Sequence, residues 1–340
     1  MKQKSKQRRK AGKGMKMKKV VAMALCAAMC ASTALPVLAE EKDKVIGLLI
    51  PSPEGDPFIS LCIKGLERLA DEQDATLKVV ETVDKAEYED QTRAMAEMGA
   101  NPVYTMWGDL SEIADRIAPE YPDTDFILCD VYMKTDQPNV SSVAVDPSQS
   151  AFIAGVVAAN NTEVDKVGFI AHADRPVSRK YRDGYIQGVA YVNPDIEVKV
   201  AYVGNDQDPV KGQEVAKLMI QNEGVDVIFQ SASRSGLGVI AGCEEMGIKC
   251  IGSDDYQGNI SDCVIWSALK PIDEALYVVG KSSFDDDFMS GDKEYGLLDG
   301  LPMYTEQEFD NLNPELQETV KQVEEEITTG AITITIETEE

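Results

Sequence analysis

The chain has 340 residues, 44% of them hydrophobic and 6% aromatic, enough for two domains of ordinary size with packed cores. Its 33 basic and 59 acidic side chains give a formal charge of −26, and ten of the basic residues lie before residue 20. Beyond that leader the balance is 23 against 59, or −36, which excludes nucleic acid and anionic membrane surfaces as partners.

The leader runs from Lys2 to Lys19 without an acid and continues as an apolar stretch over 20–39. With Val37, Leu38 and Ala39 before Glu40, it reads as a secretory signal peptide over 1–39. The alternative is an uncleaved anchor, since the stretch is just long enough to span a bilayer. Leu25 and Met29 stand before Cys26 and Cys30, where a lipidation site needs small residues, so a lipid anchor is not supported. The expected location is the extracytoplasmic face of the cell membrane or the periplasm. The five remaining cysteines (62, 129, 243, 250 and 263) are odd in number and widely spaced, and read as small core residues. Cys243 and Cys250 flank one helix–strand turn and could bridge in an exported protein.

A strand is expected at 44–50, followed by a helix to about 73 with Asp56 as N-cap and Pro57 in its first turn. Strands follow at 76–81, 102–106, 125–130 and 140–145, with helices at 85–98 and 109–118 between them. An apolar helix at 146–160 precedes a second alternation. Its strands are expected at 166–171, 197–203, 225–229, 249–252 and 264–267, and its helices at 177–192, 209–222, from about 237 to 246, and 271–283. An acidic helix at 314–327 and a period-two segment at 331–337, read as a terminal strand, complete the chain.

Two runs of alternating strand and helix without a long linker indicate an α/β protein of two doubly wound lobes. Ligands of such sheets bind at the carboxyl ends of the strands. Asp56, Phe58, Trp107, Asp130, Ser233, Arg234, Asp254 and Lys270 all fall there, and form the candidate ligand site. Carboxylates accept from hydroxyl pairs, a lysine donates, and aromatic rings cover a flat face. Singly, each has a plainer reading: Asp56 as a cap, Phe58 and Trp107 as core rings, Lys270 as a surface ion pair. No Gly-x-Gly-x-x-Gly turn, phosphate loop or Gly-x-Ser-x-Gly elbow is present. The single histidine, His172, reads as incidental on its loop. No cofactor, metal or catalytic residue is expected, and the set favours binding over chemistry.

Several segments, taken in order, resemble the basic membrane protein (BMP) family of ABC-importer substrate-binding proteins, which includes purine nucleoside receptors. They are Asp56-Pro57-Phe58, APEYPDTDFILCD at 118–130, AFIAGVVAA at 151–159, KVGFI at 166–170, YVGNDQDP at 202–209, GLG at 236–238, IGSD at 251–254 and SALK at 267–270. The resemblance covers almost all of 44–336 and implies a periplasmic-binding-protein-like fold of type I, with a hinge and three crossings between lobes. The crossings are expected near Asp146, Asp254 and Ser290. The N-terminal lobe is then 44–146 plus 255–289, and the C-terminal lobe 147–254 plus 290–340.

The resemblance further implies a monomeric solute receptor that closes on a nucleoside-like or sugar-like ligand and hands it to ABC permease subunits. A sensing receptor of the same fold for a sugar or anionic sugar derivative is the alternative, and a secreted nucleoside hydrolase a more distant one. Asp130, Asp254 and Lys270 match the family's ribose-side groups. Ile59 stands where the family's first motif carries an amide, and Asp206 where a second ring stacks on the purine. A weakened purine preference is therefore expected, unless Trp107 replaces the missing ring. Arg234 adds a cation that would favour an anionic ligand.

Overall fold

The structure is a computed structural model and describes residues 44–51, 55–285 and 287–337. The expected signal peptide at 1–39 lies outside the described residues. The first sheet is built from β1 (Lys44–Ile50), β2 (Ala75–Glu81), β3 (Val103–Met106), β4 (Phe126–Cys129), β5 (Val140–Val145) and β11 (Gly291–Tyr295), in the order β11-β5-β4-β3-β1-β2. The second is built from β6 (Lys166–Ala171), β7 (Glu197–Tyr202), β8 (Val227–Ser231), β9 (Lys249–Asp254) and β10 (Val264–Leu269), in the order β10-β9-β8-β6-β7. Every pairing is parallel. Parallel strands covered on both faces are buried on both faces, so β3, β4, β5 and β8 are continuously buried.

The helices are α1 (Pro57–Gln73), α2 (Tyr88–Glu97), α3 (Gly108–Ile117), α4 (Pro147–Ala159), α5 (Pro176–Val192), α6 (Pro209–Glu223), α7 (Arg234–Met246), α8 (Ile272–Phe284), α9 (Glu306–Asp310) and α10 (Pro314–Thr328). Five of them, α1, α4, α5, α6 and α10, open with a proline in the first turn, where its missing N–H has no helical partner to lose. Asp56, Asp146, Asp208 and Asn313 cap four of these five with a side-chain oxygen. Helix α4 has small or apolar residues on every side and is almost wholly buried. It lies close against α5 because Gly188 has no side chain: a Cβ there would stand 1.9 Å from the Phe152 carbonyl.

Two lobe boundaries differ from expectation. The chain leaves the first sheet at Asp146, as anticipated, and Asp146 N–H still bonds the Tyr295 carbonyl of β11. The second crossing comes at Lys270, not Asp254, because β10 pairs with β9 from Val264↔Cys250 to Leu269↔Asp254. Helix α8 then packs on α1, and the Tyr104 hydroxyl of β3 donates to its Leu276 carbonyl at 3.1 Å. The third crossing follows β11, which pairs with β5 in the first sheet. Strand β10 therefore belongs to the second lobe and β11 to the first, the reverse of the expected assignment.

The terminal strand is also corrected. Residues 331–337 form no strand and pair with neither sheet. Side chains of α5 satisfy this backbone instead: Gln187 exchanges two hydrogen bonds with Thr335, and the Asp183 carboxylate accepts from Glu337 N–H at 2.7 Å. All five described cysteines are free, and Cys243 and Cys250 are buried without a bridge. Among the described residues no helix is long and apolar enough to cross a membrane.

Candidate ligand site between the lobes

A cavity of about 500 Å³ lies at the carboxyl ends of both sheets and is lined from both lobes. Phe58, Trp107 and Asp130 come from the first lobe, and Ser233, Asp254 and Lys270 from the second. Six of the eight expected site residues thus meet in one space. Asp56 is not part of the lining. It is buried, and its carboxylate caps α1 by accepting from Phe58 N–H at 2.9 Å. Arg234 is exposed at the start of α7 and is also outside the lining. Ile59 is buried in the core beneath α1, so the side chain standing in for the family amide does not face the cavity.

The backbone at these strand ends is unusual. Trp107, Asp130, Ser233 and Asp254 have φ of 62°, 55°, 53° and 70°. Left-handed conformations are uncommon for residues with a side chain, and Trp is bulky. Such conformations persist where surrounding structure over-determines them, as at ligand sites. Each turns the chain sharply at the end of a strand.

The aromatic wall consists of Phe58 and Trp107, whose rings are near parallel at 18° with centroids 6.5 Å apart. Lys270 Nζ lies 4.9 Å from the Phe58 centroid and 2.5 Å from Asp130 Oδ1. The lysine is 1% exposed. Its ion pair joins the two lobes, because Asp130 follows β4 and Lys270 follows β10. The Lys270 N–H also donates to the Asp254 carbonyl at 2.9 Å.

Asp254 is held from both sides. Tyr181 Oη donates to Oδ1 at 2.6 Å, and Ser253 Oγ donates to Oδ2 at 3.1 Å. Burial pushes its carboxyl above the ordinary range, against the opposing pull of Lys270 and these two hydroxyls. Burial likewise raises the Tyr181 phenol, which stays a donor. The floor therefore offers two carboxylates, an ammonium and a hydroxyl beside an aromatic wall.

The cavity has further lining that the sequence pattern did not single out as ligand-binding: Tyr132, His172, Arg175, Tyr181 and Asp206. His172 and Arg175 sit on the loop after β6, and Asp206 on the loop after β7, so the strand-end rule that found the others applies to them as well. Tyr181 carries no such signal, because it reaches the site from the second turn of α5. Burial lowers the His172 pKa below its ordinary value, although Asp206 nearby acts against this, and the imidazole is neutral at pH 7. Arg175 is exposed and forms no ion pair among the described residues. It precedes α5, whose first turn has no side-chain cap, and Asp206 in the same lining places an acid near it.

Comparison with known proteins agrees with this architecture. The model of the Bmp family, described as "ABC transporter substrate-binding protein PnrA-like", matches residues 44–338. Among curated proteins, the chain is 26% identical over 268 residues to the ABC transporter nucleoside-binding protein BmpA of Lactococcus lactis subsp. cremoris, covering 73% of this chain and 75% of that protein. It is 25% identical over 276 residues to basic membrane protein A2 of Borrelia garinii subsp. bavariensis, covering 76% and 81%. Among solved structures, an ABC transporter system solute-binding protein from Aeropyrum pernix K1 superposes with a TM-score of 0.75 at 23% identity, covering 87% of this chain and 94% of that one. The two parallel-sheet lobes are thus a periplasmic-binding-protein fold, and the chain belongs to the Bmp family of PnrA-like ABC transporter substrate-binding proteins.

Proposed function

We propose that the protein is the extracytoplasmic receptor of an ABC importer and that it binds a nucleoside or a closely related polar ligand. The observation that carries this reading is the grouping of Asp130, Lys270 and Asp254 beside the Phe58–Trp107 wall. Ionised carboxylates accept from the two hydroxyls of a ribose, and the ammonium donates to one of their oxygens. The rings cover a flat base, with stacking worth about 0.5–1.5 kcal/mol per ring pair beyond area burial. Trp107 supplies a ring from the first lobe, so Asp206 at the family's ring position does not leave the base without aromatic cover. The nucleoside-binding relative from Lactococcus lactis supports the same class.

Binding is reversible and without turnover in this reading, by a monomer. The closed form would be presented to permease subunits at the membrane. The test is titration calorimetry with adenosine, guanosine, inosine, uridine, ribose and adenosine monophosphate, with each bound ligand recovered and weighed by mass spectrometry. The expected result is at least one nucleoside bound at micromolar concentration or tighter and recovered unchanged. Binding of ribose alone, or of none, would overturn the nucleoside assignment, and recovery of free base and sugar would overturn the receptor.

A further inference from the structure

We propose that Asp56 is an interlobe latch: a positioning residue that holds the cleft shut without touching the ligand. Asp56 is 2% exposed and does not line the cavity. Its two carboxylate oxygens do different things. Oδ1 faces its own lobe and accepts from Phe58 and Ile59 N–H at 2.9 and 3.4 Å, capping α1. Oδ2 faces the other lobe and accepts from Ser233 Oγ at 2.7 Å and Gln207 Nε2 at 3.0 Å.

Those two donors sit on the loops after β8 and β7, 177 and 151 residues away along the chain. Hydrogen bonds to an ionised acceptor are stronger than neutral ones, and a buried carboxylate left without donors is costly. Opening the cleft takes both donors from Oδ2 at once. The latch is also coupled to the site at each end. Asp56 fixes the first turn of α1, which carries Phe58, and Ser233 both lines the cavity and grips Asp56. The positive φ of Ser233 aims its short side chain across the gap between lobes.

Two variants separate the latch from the cap and from the ligand contacts. Gln207→Ala removes a donor that is outside the lining and leaves the α1 cap untouched. Asp56→Ser retains a capping oxygen, since Ser caps about as well as Asp, but has no second oxygen to reach Ser233 and Gln207. Small-angle scattering is recorded on the ligand-free protein, alongside thermal unfolding. The latch predicts a larger radius of gyration for both variants than for the natural chain, with Tm changed by no more than about 2 °C. The double variant Gln207→Ala/Ser233→Ala should open further than Gln207→Ala alone. Scattering profiles of both single variants that superimpose on the natural one would overturn the latch. No ligand enters this measurement, so a failed nucleoside panel and a failed latch are distinguishable outcomes.

Discussion

Replacing Lys270 by Met keeps most of the apolar stem and removes the terminal ammonium, with its charge and its hydrogen-bond donors. In the folded protein this strands Asp130, whose Oδ1 lies 2.5 Å from Nζ and whose side chain is 10% exposed. Removing one partner of a buried pair costs about 3–5 kcal/mol. Asp130 keeps an edge on the cavity and can draw water, so the lower figure of about 3 kcal/mol applies. For a fold of this size that corresponds to a Tm loss of roughly 6 °C. The double variant Lys270→Met/Asp130→Asn removes the stranded charge and should recover at least half of the loss. Ligand affinity should not recover, because both polar partners are gone. Urea and thermal unfolding followed by tryptophan fluorescence measure the first part, and calorimetry the second. A single variant within 1 °C of the natural chain, or a double variant less stable than the single, would refute the buried-pair account.

Trp107→Ala should weaken nucleoside binding about tenfold while ribose binding, if measurable, stays the same, since the lost contact is a ring face; titration of both ligands checks it. Because His172 is the only histidine and its folded pKa is depressed, its contribution to stability is present above the unfolded value of about 6.5 and is lost as pH falls toward the folded one. Urea midpoints measured from pH 7.5 to 5 should fall, and His172→Gln should flatten that slope. Asp254 acts with the opposite sign: its folded pKa is raised, so protonation favours the folded state as pH drops through that value. Asp254→Asn should remove this opposing contribution, which is read by extending the same urea midpoints below pH 5 toward the unfolded carboxyl value of about 3.9.

Most of the framework was legible in the residues. Parallel strands buried on both faces appear as short apolar runs, and the Pro and Asp residues at 56–57, 146–147 and 208–209 mark helix starts that the structure reproduces. Strand ends were legible too, and six residues chosen on that ground line the cavity. Side-chain direction was not. Asp56 and Arg234 occupy strand-end loops like the others, but a cap turns one toward the helix and the other projects into solvent. The Asp56-Pro57 pair did carry a cap signal, whereas nothing in the local pattern separates Arg234 from Asp254. Lobe membership of β10 was also hidden, because an apolar strand is equally suited to either sheet and its partner is set by tertiary packing, and β11, with the sequence GDKEY, carries no apolar run to mark it as a strand. The segment at 331–337 has the alternation of a strand, yet α5 offers Gln187 and Asp183 as partners for its backbone.

The three crossings at Asp146, Lys270 and the end of β11 mean that neither lobe is a continuous piece of chain. No single cut releases one half as a foldable fragment. The first lobe cannot finish its sheet until β11 arrives, some 145 residues after β5, and that interval contains every strand of the second lobe. Closing so long an excursion is entropically unfavourable until the second lobe has shortened it by folding. Assembly should therefore proceed from the second lobe outward, with β11 docking on β5 as a late event. The cavity lining is already complete at Lys270, so the late docking of β11 finishes the first sheet rather than the site.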